Sequence, residues 1–245
     1  RRLVFLSATG ILVASAVHAL ALNAAFAQSD VASALQSSDW PQFLGPTRNG
    51  LSSETGLLDA WPANGLKEVW RAKGGVGMSG LAVRGDRLVT LVQREGKQWI
   101  IALHPLTGAS QWTTELAPEY LNSMGNGPRG TPAIAGDLAF AFTGEGILAA
   151  VRLTDGKLQW SHPVVNELKG KPAEYGMASS PLVVGDKVLV LVGAPKATIA
   201  AYDTKTGKLA WTGGNDPAGY SSPTLLQVGG RSQVVVATGN SIIGL

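Results

Sequence analysis

The stretch Ala201-Tyr202-Asp203-Thr204-Lys205-Thr206-Gly207-Lys208-Leu209-Ala210-Trp211 decides the fold. Ile199 to Tyr202 is apolar and compatible with a β-strand. Asp203 can accept hydrogen bonds from backbone N–H groups across a tight turn, and Gly207 supplies a position of positive φ. Leu209 and Trp211 then alternate onto one face of a second strand. The unit recurs upstream. Ala102-Leu103-His104-Pro105-Leu106-Thr107-Gly108-Ala109-Ser110-Gln111-Trp112 has His104 in the aspartate place. Ala150-Val151-Arg152-Leu153-Thr154-Asp155-Gly156-Lys157-Leu158-Gln159-Trp160 is a looser copy. Counted from Trp70, the tryptophans fall at 70, 112, 160 and 211, in steps of 42, 48 and 51 residues. Each step is about the length of one four-stranded propeller blade.

The pattern A-x-D-x-x-T-G-x-x-x-W, complete at 201–211 and partial at the two upstream copies, resembles the tryptophan-docking motif of the pyrroloquinoline-quinone (PQQ) repeat. That repeat is the blade unit of quinoprotein alcohol dehydrogenase-like β-propellers. The resemblance implies an all-β fold of four-stranded antiparallel blades over residues 66–245. Three complete blades and part of a fourth are expected, within a protein of about seven or eight. It also implies docking roles for Trp112, Trp160 and Trp211 with Gly108, Gly156 and Gly207, each indole buried on an outer strand against the adjacent blade.

Each blade repeats one grammar. An inner strand (81–83, 132–135, 181–184) is followed by a Gly-Asp turn at 85–86, 136–137 or 185–186, then by three further strands. Recurrence at one turn position marks these aspartates as turn residues rather than acids for catalysis. Leu66 to Ala72 reads as one strand, of the kind that completes the last blade of a closed ring. Upstream, 28–65 reads as a leader and a turn-rich segment containing Asp39-Trp40-Pro41-Gln42-Phe43-Leu44-Gly45-Pro46. Trp40 and Phe43 are expected to plug against the propeller surface.

Residues 1–27 read as a secretory signal: Arg1-Arg2, an apolar run from Leu3 to Leu22, and Ala25-Phe26-Ala27 before a polar stretch. The expected location is periplasmic or secreted, with no membrane span once the signal is cleaved. The signal holds two of the 20 basic residues and none of the 17 acidic ones, leaving 18 against 17. Near-neutrality without a basic stripe excludes nucleic acid as a partner. Cysteine is absent. That removes disulfides and a lipid-modified N-terminal cysteine, arguing against the lipoprotein scaffold of outer-membrane barrel assembly. It also removes the vicinal disulfide of many quinoprotein alcohol dehydrogenases.

Binding sites on propellers lie where loops from successive blades converge at the channel mouth. The loops here are 77–80, 128–131, 177–180 and 219–222. They bring candidate ligand-binding residues Met78, Ser79, Arg129, Thr131, Tyr175, Ser179, Ser180, Tyr220, Ser221 and Ser222 to one end. Arg129 is the single charge among them and reads as an anion anchor, replaceable without loss of fold. Tyr175 and Tyr220 read as stacking walls. The small residues are equally explained by crowding around a narrow axis.

No catalytic set, metal-ligand spacing, G-x-S-x-G elbow or phosphate loop is legible. His104 and His162 are isolated. The expectation is an exported, non-catalytic binding or scaffold module without cofactor, taking a protein or another extracytoplasmic ligand at the mouth. The alternative is a PQQ- and Ca²⁺-dependent alcohol or sugar dehydrogenase. Its carboxylate and amide ligands would lie mostly outside this stretch, because Glu174, Asn126, Asn215 and Asp216 are scattered and form no local motif.

Overall fold

The computed structural model describes residues 39–245. The signal reading for 1–27 and the leader from 28 to 38 lie outside the described residues. Fifteen strands form four antiparallel sheets with sequential order, the up-and-down connectivity of propeller blades. Blade 1 holds β1 (Ala82–Arg84), β2 (Arg87–Arg94), β3 (Lys97–Leu103) and β4 (Ser110–Pro118). Blade 2 holds β5 (Ala133–Ala135), β6 (Leu138–Phe142), β7 (Leu148–Arg152) and β8 (Leu158–His162). Blade 3 holds β9 (Leu182–Val184), β10 (Lys187–Ala194), β11 (Ala197–Asp203) and β12 (Leu209–Gly213). Blade 4 contributes β13 (Thr224–Val228), β14 (Arg231–Ala237) and β15 (Ile242–Gly244). A single helical turn, α1 (Val164–Glu167), follows blade 2.

The blades stack because their middle strands are apolar on both faces, with side chains alternating between two neighbours. In β6, Leu138, Phe140 and Phe142 join a cluster with Val188, Val190 and Tyr202 of blade 3. The intervening Ala139 and Ala141 join Val89, Leu91 and Ile100 of blade 1. In β10, Val188 and Val190 face blade 2, while Leu189 and Leu191 pack against Val234 and Val236 of blade 4. Tyr202, whose hydroxyl pKa burial pushes up to about 12, belongs to this core.

The repeated hairpin has the local chemistry its sequence calls for. Asp203 Oδ1 accepts from the backbone N of Thr206 at 2.9 Å and from the Thr206 hydroxyl at 2.8 Å. Those bonds hold its carboxyl below the usual range. The residue before each tryptophan (Gln111, Gln159, Ala210) is skipped in the ladder, a recurrent β-bulge. That bulge interrupts the alternation expected for Leu209 and Trp211.

Three of the four indoles then reach the turn of the next blade. Trp70 Nε1 donates to Pro105 O at 2.8 Å, Trp112 Nε1 to Leu153 O at 2.9 Å, and Trp160 Nε1 to Thr204 O at 2.9 Å. Gly108, Gly156 and Gly207 sit beneath these rings at φ 68°, 72° and 68°. A Cβ there would fall 2.5, 2.6 and 2.7 Å from an indole carbon. Positive φ and the flat aromatic lid both require glycine.

Three expectations are corrected. Trp211 is not buried: it is 39% exposed, and among the described residues its indole N–H meets no backbone carbonyl of a neighbouring turn, the contact that fixes the other three. Residues 66–72 form no strand, since an edge segment pairs only when a neighbouring strand supplies partners, and none among the described residues does. Phe43 stays exposed at 36% while Trp40 is half-buried, so only one of the two aromatics plugs inward.

Candidate functional site

The loops preceding β1, β5, β9 and β13 converge at one end of the described blades, as strand direction demands. They surround an open cavity of about 610 Å³. Its lining includes Met78, Arg129, Thr131, Ser180, Tyr220, Ser221 and Ser222 from the sequence-derived set. Ser79, Tyr175 and Ser179 do not line it.

The hydroxyls first serve the ring. Ser79 Oγ of blade 1 donates to Gly130 O of blade 2 at 2.9 Å. Thr131 N donates to Ser180 Oγ of blade 3 at 2.9 Å, and Ser180 N donates to Ser222 Oγ of blade 4 at 2.9 Å. Small hydroxylic residues thus link each blade to the next at the mouth loops. Both Ser180 Oγ and Ser222 Oγ act as acceptors in these links, and both residues line the cavity. Ser221 is fully engaged, donating to Ala237 O at 2.7 Å and accepting from Ala237 N at 3.0 Å. Ser179 Oγ is buried without a partner, behind the cavity wall.

Arg129 is a framework residue. Its side chain is 8% exposed, and its guanidinium donates to Gly127 O and Gly125 O at 2.6 Å each while lying 4.9 Å over the Tyr120 ring. These contacts tie its guanidinium to the 125–127 loop. Arg48 is a second guanidinium nearby, held by carbonyls with no carboxylate in contact among the described residues. Burial lowers its pKa to about 10. Tyr175 and Tyr220 stack on one another, centroids 5.7 Å apart and planes 21° apart, with the Tyr220 hydroxyl 3.3 Å from Tyr175 N. As a mutual pair they form a rim rather than two independent walls.

The lining also includes Gly80 and Ala178 from the loops named in the sequence, and Trp40, Phe43, Leu44 and Leu81, which the sequence reading did not assign to the mouth. Trp40, Phe43 and Leu44 come from the turn-rich segment, whose need to bury aromatics was a signal without an address. The cavity therefore has a hydroxyl floor and an apolar wall, and no carboxylate lines it. Asp216 lies apart. Ser241 Oγ at 2.5 Å and Thr238 Oγ1 at 2.8 Å donate to Asp216 Oδ2 and hold its carboxyl below the usual range.

A protein-family model described as "Outer membrane protein assembly factor BamB" matches residues 48–189 and 171–245. The chain belongs to this PQQ-repeat, BamB-type family. Its lack of cysteine therefore does not set it apart from the family. A quinohemoprotein alcohol dehydrogenase, ADH IIB of Pseudomonas putida, is 35% identical over 101 residues, covering 38% of this chain and 14% of that protein. Among solved structures, BamB from Moraxella catarrhalis is similar at 26% identity and TM-score 0.47, covering 70% of this chain and 45% of that one. Quinohemoprotein alcohol dehydrogenase from Comamonas testosteroni is similar at 16% identity and TM-score 0.48, covering 70% and 34%. The chain spans about a seventh of the curated relative and under half of the solved BamB.

The residues present do not fit a Ca²⁺–quinone centre. A calcium ion takes six to eight oxygens, mostly carboxylate and carbonyl. Among the described residues no three His, Cys, Asp or Glu side chains converge as a metal-binding group, and no carboxylate lines the cavity.

Proposed function

We propose that this protein is a periplasmic or secreted, non-catalytic binding module of the BamB-type family, and that the mouth cavity engages an extended segment of a partner protein. The observation that carries the reading is the cavity's composition. Ser180 and Ser222 bring hydroxyl groups, Trp40, Phe43, Leu44, Met78 and Leu81 bring apolar side chains, and no lining residue is a carboxylate. An extended polypeptide complements such a surface, because it offers a carbonyl acceptor and a side chain at every residue. No nucleic acid is called for by the charge. No helix among the described residues is long and apolar enough to cross a membrane.

The match to ADH IIB supports the rival reading, a PQQ- and Ca²⁺-dependent dehydrogenase. The deciding experiment titrates full-length protein with PQQ in the presence of Ca²⁺, then assays dye-linked alcohol oxidation. The binding reading expects neither micromolar quinone binding nor turnover. Both together would replace it with the dehydrogenase.

A further inference from the structure

In a propeller, the inner strand of every blade turns an unpaired edge toward the axis. Here residues 39–50 run along three of those edges in succession. Asp39 Oδ1 accepts from Gly85 N beside β1 at 2.8 Å. Trp40 exchanges two backbone hydrogen bonds with Val83 of β1, at 2.8 and 2.9 Å. Pro41 O accepts from Ile134 N of β5 at 2.7 Å. Arg48 donates to Pro181 O at 3.0 Å and to Ser180 O at 3.4 Å, where β9 begins.

Between these anchors the segment is folded on itself. Gly50 N donates to Leu44 O, and the Gln42 side chain bridges Pro46 O and the Arg48 guanidinium. Gly45, at φ 79°, lies so close under the Trp40 indole that a Cβ would meet it at 2.7 Å. Only glycine permits both that φ and that approach. The fold-back presents Phe43 and Leu44, 36% and 42% exposed, to the cavity.

We propose that Asp39–Gly50 is an intramolecular strap across the channel-facing edges of three blades, and that Phe43 and Leu44 on it set the specificity of the mouth cavity. This rests on the reading of the mouth as the binding site. The strap residues Trp40, Phe43 and Leu44 line the cavity together with the hydroxyl-bearing loops. It selects partner segments that carry an apolar side chain beside a hydrogen-bond acceptor, and it disfavours segments that place a charge against the wall.

The strap is read first without any ligand. Hydrogen exchange is followed at Val83 and Ile134 in full-length protein and in a variant lacking 39–50. Both amides should exchange at least tenfold faster in the deletion, while Ala139 and Leu189 in the middle strands stay protected. Unchanged exchange at Val83 and Ile134 would remove the strap. Should the deletion unfold globally, Asp39→Ala, which removes the acceptor of the Gly85 N–H, provides the readout at Gly85: its amide should exchange faster, and unchanged exchange there would remove that anchor of the strap.

The wall is read with 8-anilinonaphthalene-1-sulfonate, an apolar probe with an acceptor group. Binding that saturates in the wild type and is abolished by Ala178→Trp, which fills the cavity, places the probe at the mouth. Phe43→Ala with Leu44→Ala should weaken it at least fivefold without altering thermal unfolding. Equal affinity in that double variant would overturn the specificity assignment and leave the mouth reading standing. No probe binding at the mouth in the wild type would overturn the mouth reading and the wall assignment with it, whereas the exchange result would still stand for the strap.

Discussion

The contact between Trp160 and Gly207 offers a quantitative test of how the blades are held together. Trp160 is 9% exposed, its ring centroid lies 6.0 Å from that of Phe140, and its N–H is satisfied by Thr204 O. Burying about 200 Å² of indole at ~25 cal/mol per Å² is worth roughly 5 kcal/mol. Large-to-small replacement of buried aromatics costs about 3–5 kcal/mol, so Trp160→Ala should lose about 4 kcal/mol. Gly207→Ala should lose about 2–4 kcal/mol, from adopting positive φ with a Cβ and from driving that Cβ into the ring. In the Trp160→Ala background the ring is gone, leaving the φ cost and a milder contact with His162 Nε2 at 3.0 Å. The two substitutions should therefore couple by more than ~1 kcal/mol, the signature of groups in direct contact. The assay is urea unfolding of full-length protein, with each variant's midpoint converted at the wild-type m-value. A Trp160→Ala loss below ~1.5 kcal/mol, or strict additivity in the cycle, would refute the docking argument.

Arg129→Leu should destabilise by roughly 2–4 kcal/mol, because two charge-assisted bonds to Gly125 O and Gly127 O disappear; thermal unfolding checks this, and an unchanged Tm would contradict it. Asp203 and Asp216 both have folded pKa values below 3.8, so the stability they add is complete above that value and is lost as pH falls through the folded values. Urea midpoints measured between pH 5 and pH 2 should therefore fall more shallowly for Asp216→Asn than for the wild type, and identical slopes would count against the Thr238 and Ser241 bonds. Ser222→Ala deletes the acceptor for Ser180 N between blades 3 and 4 and should cost about 1–3 kcal/mol, read from the same urea curves, whereas Ser222→Thr should retain most of the stability.

Much of this protein is written in short-range chemistry. The Asp203–Gly207 turn, the strand runs in blades 1 to 3 and the interval between tryptophans are local patterns. Repetition multiplies each local signal, so the four-stranded antiparallel blades and the mouth loops were legible from residues alone. The fate of each side chain at the mouth was not. Thr131, Ser180 and Ser222 read as a hydroxyl pocket, yet the backbone N–H groups of neighbouring blades claim two of those oxygens first. Arg129 read as an anion anchor because sequence cannot show that two carbonyls and the Tyr120 ring already surround it. Trp211 carries the same motif as Trp160 but lies exposed, since burial depends on what the next blade brings. The strap at 39–50 was the least legible feature, because its partners Val83, Ile134 and Pro181 are distant in the chain and bind it through backbone groups common to every residue. Sequence by itself determined the repeat and its hairpins, because their causes lie within a few residues. Only the tertiary structure decided which hydroxyls line the cavity and what forms its wall, because those depend on atoms that distant segments bring together at the axis.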